Sequence, residues 1–190
     1  MSDKTTSGMQ GNSNRSSNIE DVLPTILNGE KLKIALDFVA YMRENKMTLR
    51  WARFSNAWKA SYKGKCICYV RLRGNSDVPS VGHSDTHLWV ITPFLLHIDE
   101  YEESVIREGL ENTVWDNMFY CKRCFPEKYP EGRPCVPGRN IILLGKEIRG
   151  ICVGRQPVWV WDPGETAINC IKKLLELEQK ARAEKTKSTT

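Results

Sequence analysis

Cys121-Lys122-Arg123-Cys124 is the motif whose residue types and spacing carry the most specific chemistry. Two thiolates three residues apart can grip one Zn²⁺ in a tight turn. A tetrahedral site takes two more ligands, and Cys135 and Cys152 follow in the sequence. Four thiolates on Zn²⁺ leave negative charge, which Lys122, Arg123, Arg133 and Arg139 would offset. The second pair is not C-x-x-C, so the spacing matches only half of a zinc ribbon. Three readings stay open for Cys121, Cys124, Cys135 and Cys152: structural zinc, buried structural thiols, or a redox dithiol. The redox reading is disfavoured, because no βαβ pattern surrounds the motif. Cys66 and Cys68 read as core thiols on one strand face, and Cys170 as a core thiol of the last helix.

The second candidate is aromatic. The chain holds six tryptophans, and Trp51, Trp58, Trp89, Trp159 and Trp161 fall in strand-like segments. Arg50, Arg53, Arg71 and Arg73 alternate with these rings. Packed core is the plain reading, since Trp is strongly buried on average. The functional reading is a small-molecule pocket on the sheet, lined by Trp51, Trp58, Tyr69 and Trp89, with Arg71 as anion or hydrogen-bond partner. Tyr69 shares its face with Arg71, and Trp89 with His87, so some rings should stand beside charged groups at a partly open surface. Arg beside aromatics also suits single-stranded nucleic acid, a case that Asp77, Asp85 and Glu44 dilute.

Other chemistry is less supported. His83, Asp85 and His87 offer a possible metal trio, but a solvated loop accounts for them. No G-x-S-x-G elbow, P-loop or dinucleotide fingerprint is present.

The elements that must position these groups follow from periodicity. Leu32, Ala35, Leu36, Val39 and Met42 predict a helix over about 30–45, with Asn28 as N-cap and Asn45 as stop. Alternation in Asn56–Tyr62 and Cys66–Leu72 predicts two strands around a Lys63-Gly64-Lys65 turn. His87–Thr92 predicts a third strand. A helix is expected over 99–118, opened by an Asp99/Glu102 capping box. Residues 119–140 read as an irregular Pro, Gly and Cys loop. Short strands are expected at Ile141–Leu144 and Val158–Trp161, with a pairing segment at Ile148–Val153. The last helix is expected to open with Asp162 as cap, Pro163 at the first helical position and Glu165 after it. The order predicts an α+β fold: a single antiparallel sheet of about five short strands covered by about three helices, with the Cys-containing irregular loop.

Composition sets the class. The chain has 190 residues, 41% hydrophobic and 27% charged, and a mean hydropathy of −0.45. That predicts a soluble chain with one α+β domain over 19–181, a disordered tail over 1–18 and a frayed tail over 182–190. No apolar run approaches membrane length, so no membrane partner is expected. The odd count of seven cysteines and the polar start argue for a reducing, cytoplasmic setting. Net charge is +5. Divided by segment, 21–119 comes out near neutral and 120–155 markedly basic, which reads as solvated surface rather than a dedicated nucleic-acid stripe.

The string Leu49-Arg50-Trp51, Trp58-Lys59-Ala60-Ser61-Tyr62-Lys63-Gly64-Lys65-Cys66, Cys121-x-x-Cys124, Leu144-Gly145-Lys146-Glu147, Cys152, and Asp162-Pro163 before an I-x-x-L-L helix resembles small uncharacterised bacterial α+β proteins. The resemblance covers about 31–178. It implies a bacterial, cytoplasmic origin and assigns no residue a role. The reading that follows is a binding protein with a small-molecule pocket on an aromatic-rich sheet and a possible structural zinc. The alternatives are a nucleic-acid-associated zinc-binding module and a thiol-dependent enzyme; whether the chain is an enzyme stays open.

Overall fold

The computed structural model describes residues 18–72, 87–119, 139–151 and 157–188. The fold is α+β; the described residues form one five-stranded antiparallel sheet, a separate two-stranded hairpin and five α-helices. The helices are α1 (Ile19–Ile26), α2 (Gly29–Glu44), α3 (Glu102–Arg107), α4 (Glu111–Asp116) and α5 (Glu165–Ser188). The strands are β1 (Thr48–Ala52), β2 (Ala57–Tyr62), β3 (Lys65–Leu72), β4 (Trp89–Pro93), β5 (Arg139–Leu143), β6 (Lys146–Ile151) and β7 (Val160–Trp161). The large sheet runs β1-β2-β3-β4-β7, and among the described residues β5 pairs with β6 alone.

Local sequence explains most of these elements. Turn residues Lys63 and Gly64 both have positive φ, as do Leu144 and Gly145. Two successive left-handed residues fit the tight hairpin turn whose twist matches that of paired strands. α2 buries Ala35, Val39 and Met42 of the expected stripe and adds Phe38, while Leu32 and Leu36 are half-buried at its edge. Asn28 precedes it, but its side chain makes no cap hydrogen bond.

Several expectations are corrected. α1 had no counterpart in the sequence reading; Ile19, Val22 and Leu23 form its buried stripe, and the helix carries Pro24 inside it at the loss of one backbone donor. The helix expected over 99–118 is broken into a 3-10 turn at Ile98–Tyr101, then α3, then α4. Gly109 at φ +67° makes the break. Asp99 lies in the 3-10 turn, and no side-chain cap bond forms at the start of α3. α5 continues through residue 182, where the tail was expected to begin, to Ser188. Arg182 is anchored there by the buried Glu178 carboxylate and the Cys66 and Phe94 carbonyls.

Cys66 and Cys68 do not share a face. β2 and β3 slip by one residue between Ala60 and Ser61, so Cys68 pairs with Ala60 and Cys66 with Ser61. Ile67 is the extra residue of this bulge, which turns Cys66 to the opposite side.

The register fixes two faces. One carries Leu49, Trp51, Trp58, Ala60, Cys68, Val70, Leu72, Trp89, Ile91 and Val160. Most of these residues pack with α1, α2, α4 and α5 in the main core. β5–β6 joins that core through Leu143 and Ile148. The second face carries Arg50, Lys59, Tyr69 and Thr92 in one row across the strands. A neighbouring row holds Arg71, Val90 and Trp161.

Candidate functional site

The second face is the candidate site. Its apolar centre is a small cluster of Val90, Phe119 and Trp159, with Trp161 packed against it. No residue of a described helix belongs to that cluster. Trp159 and Trp161 are two apart in a strand-like segment, so they share a side while Val158 and Val160 join the main core. Phe119 reaches the cluster because its N–H donates to the Pro157 carbonyl at 2.6 Å and Trp159 donates to Asn117 at 2.9 Å.

The rings form a run. Phe119 stacks on Trp159 with centroids 4.7 Å apart, Trp159 lies 5.6 Å from Trp161, and Trp161 lies 5.3 Å from the His87 ring. On the other side Tyr69 meets Phe94 edge-to-face at 5.2 Å. Arg71 joins the two groups. Its guanidinium sits 5.0 Å from the Tyr69 ring centroid and 5.0 Å from that of Trp159. Arg71 Nη1 donates to Thr92 Oγ1 at 2.9 Å, which sets the plane of the fork.

A polar corner closes the run beside His87. Asp162 sits at φ +40°, a strained backbone for a residue with a Cβ. Its Oδ1 accepts from the Leu88 and Trp89 N–H groups at 2.9 and 3.0 Å. Its Oδ2 lies 3.1 Å from Lys31 Nζ and 3.6 Å from His87 Nδ1. Asp162 therefore ties the end of β7 to β4 and α2. The expected capping of the last helix is not its role, since α5 begins only at Glu165. Burial opposes its charge, yet the two N–H groups and Lys31 together hold its carboxyl below the usual value.

The residues expected to line one pocket are divided between the faces. Tyr69 and Arg71 stand on the second face. Trp51, Trp58 and Trp89 stand on the helix-covered face, where Trp58 is 1% and Trp89 2% exposed. Trp51 packs edge-on against Trp58 at 4.6 Å. Trp159 and Trp161, expected only as strand residues, join the site, and their i, i+2 spacing is the signal in the sequence that places them on one side. Phe94 and Thr92 had no such signal, because they depend on the β3–β4 register.

Cys121, Cys124, Cys135 and Cys152 lie outside the described residues, as do His83 and Asp85. Among the described residues no group of three or more His, Cys, Asp or Glu side chains could hold a metal. Burial pushes the Cys68 thiol well up, and Cys66 is raised for the same reason. Neither thiol is poised as a nucleophile. A groove of about 110 Å³ between α2 and α5 mixes Glu30, Asp37 and Glu165 with Lys33 and Lys172. Among the described residues no helix is long and apolar enough to cross a membrane. Comparison with family models, curated proteins and solved structures finds no match for this chain.

Proposed function

We propose that this chain is a binding protein whose ligand is a small planar anion held on the second face of the sheet. The observation that supports it is the Arg71 guanidinium, set between the Tyr69 and Trp159 rings and oriented by Thr92. A fork held in one plane beside aromatic faces suits a carboxylate or phosphate attached to a flat group. Trp161 and His87 extend the run and give that flat group a stacking wall. Tyr69, Phe94, Trp161 and His87 are only half-buried, so their rings keep accessible surface. The test is tryptophan fluorescence against a panel of nucleotides and aromatic carboxylates. A hit should lose affinity in Trp161→Ala and Arg71→Gln while the melting curve of the Trp161 variant shifts little. A panel without a hit, or a hit whose affinity ignores both substitutions, contradicts the reading.

A structural zinc is the second reading, favoured by the geometry of the flanking chain. Arg139 pairs with Ile151, and Met118 bridges Val158. The 120–138 and 152–156 connections thus leave and rejoin the described structure at the same two places. Ile151 and Pro157 are close enough in sequence that the two places lie within about 20 Å. Cys121 follows Met118 by three residues, and Cys152 directly follows Ile151. Elemental analysis of protein purified without a His tag tests the reading: bound zinc supports it, and metal-free protein contradicts it.

A further inference from the structure

The β1–β2–β3 meander is strongly one-signed. Residues 46–72 contain Lys46, Arg50, Arg53, Lys59, Lys63, Lys65 and Arg71, and no Asp or Glu. The whole chain carries only +5, so everything outside this meander is net acidic. Lys46, Arg50, Arg53, Lys63 and Lys65 are exposed. Ion pairs among the described residues are formed elsewhere, by Lys31, Arg43, Arg182, Lys173 and Lys185. Lys46, Arg50, Arg53, Lys59, Lys63 and Lys65 enter none of them.

The register organises part of this charge. Arg50, Lys59 and Tyr69 are direct cross-strand partners on the second face. Adjacent strands are about 4.8 Å apart, so two cations and one ring stand in a line of roughly 10 Å. Arg71 lies one row over on the same face, with Trp161 further along its row. Lys63 and Lys65 mark the turn end of the meander and Arg53 the other end. No acidic residue stands on the second face within the five strands of the large sheet; Asp162 follows β7 at the far edge, paired with Lys31.

We infer that this meander is a docking surface for single-stranded nucleic acid, the backbone following Arg50 and Lys59 and a base stacking on Tyr69. A polyanion matches a surface bearing one sign of charge. Ring faces beside cations distinguish a single strand from a duplex, whose bases are stacked on one another and present only their edges in the grooves. The surface adjoins the Arg71–Trp159 site and shares the Tyr69 ring with it, while its cations Arg50 and Lys59 are separate from that site. Arg50 and Lys59 make no described contact with the ring run.

The experiment measures anisotropy of a fluorescein-labelled oligothymidylate of about 20 nucleotides, titrated with full-length protein over a range of salt. The expected result is binding at low salt that weakens steadily on a log–log plot. Arg50→Glu with Lys59→Glu should weaken it about tenfold or more and reduce the slope by about 1.4, the value for two lost contacts on a single strand. Arg50→Gln with Lys59→Gln should weaken it less, and serves if the double reversal fails to fold. Lys33→Glu with Lys180→Glu makes the same charge change on the exposed helix surface and should leave affinity within about twofold, apart from long-range charge. Absence of binding at low salt overturns the inference. So does equal loss in the meander and helix variants, tighter binding to the matching duplex, or binding to phosphatidylserine vesicles in place of the oligonucleotide. Loss of this binding with retention of a small-molecule hit would leave the Arg71 site standing, and the reverse would leave the meander standing.

Discussion

Replacing Arg182 with Met should cost this fold more than almost any other single change at a charged residue. Glu178 is fully buried, at 0% exposure. Its carboxylate accepts from Arg182 Nε at 2.7 Å, the Tyr101 hydroxyl at 2.7 Å and the His97 N–H at 3.1 Å, with His97 Nδ1 at 2.9 Å. Arg182 also donates to the Cys66 carbonyl at 2.8 Å and the Phe94 carbonyl at 3.1 Å. Those carbonyls flank the bulge of β3 and the end of β4, so one side chain ties α5 to the large sheet. Met keeps the length and apolar volume of the stem but leaves the carboxylate without its guanidinium. Breaking one partner from a buried pair costs about 3–5 kcal/mol. At about 2–4 °C per kcal/mol for a chain of this size, the melting temperature should fall by roughly 6–20 °C. Urea denaturation of Arg182→Met, Glu178→Leu and the double variant would measure it. The double variant should be far less destabilised than the sum of the singles, because removing both charges leaves no orphan. A change within about 0.5 kcal/mol for Arg182→Met, the usual range at an ordinary surface site, would refute the reasoning.

Asp162→Asn should lower stability at neutral pH by about 1–3 kcal/mol, since two backbone N–H groups and Lys31 lose a charged acceptor. The folded carboxyl sits below its ordinary value of 3.8, so this contribution is whole above that value and is lost as the pH falls through the lower folded one. The gap between wild type and variant, followed by urea denaturation, should therefore close in strong acid; a gap that widens with acid contradicts it. Gly109→Ala, at φ +67°, should cost about 1 kcal/mol in a thermal melt, because the break between α3 and α4 needs a left-handed residue. An unchanged or raised melting temperature would argue for a continuous helix there. On the zinc reading, Cys121→Ser loses the metal and sensitises the chain to limited proteolysis near residues 119–140, whereas wild type with no metal and the same melting curve in chelator would end that reading.

The strands with period-two alternation and the turn between them were legible in the sequence, because Lys63-Gly64 is a local solution to a tight reversal; the turn at Leu144-Gly145 was not, since Leu144 reads as a strand residue. The α2 stripe was legible because its spacing is also local. What else was not legible depended on pairing between distant segments. The bulge at Ile67 appears only when Ala60 and Ser61 meet Cys68 and Cys66, and it alone moves Cys66 to the second face. The division of Trp58 and Trp89 from Tyr69 and Arg71 follows from alternation, but which face the helices take does not. Asp162 looked like a helix cap because Pro163 and Glu165 follow it; its carboxylate instead meets β4, 73 and 74 residues away in sequence. The cationic meander was hidden by averaging charge over 21–119, where the acids of α3 and α4 and those before β1 cancel it.

The central claim, a planar anion on the second face, is tested most directly by the indole N–H resonances of the six tryptophans in a nitrogen–proton correlation spectrum, recorded while nucleotides and aromatic carboxylates are added. The account predicts that Trp159 and Trp161 shift with a common binding constant while Trp58 and Trp89, buried on the helix-covered face, stay in place. Shifts at Trp58 and Trp89 with Trp159 and Trp161 unmoved, or six resonances indifferent to every planar anion, would contradict it.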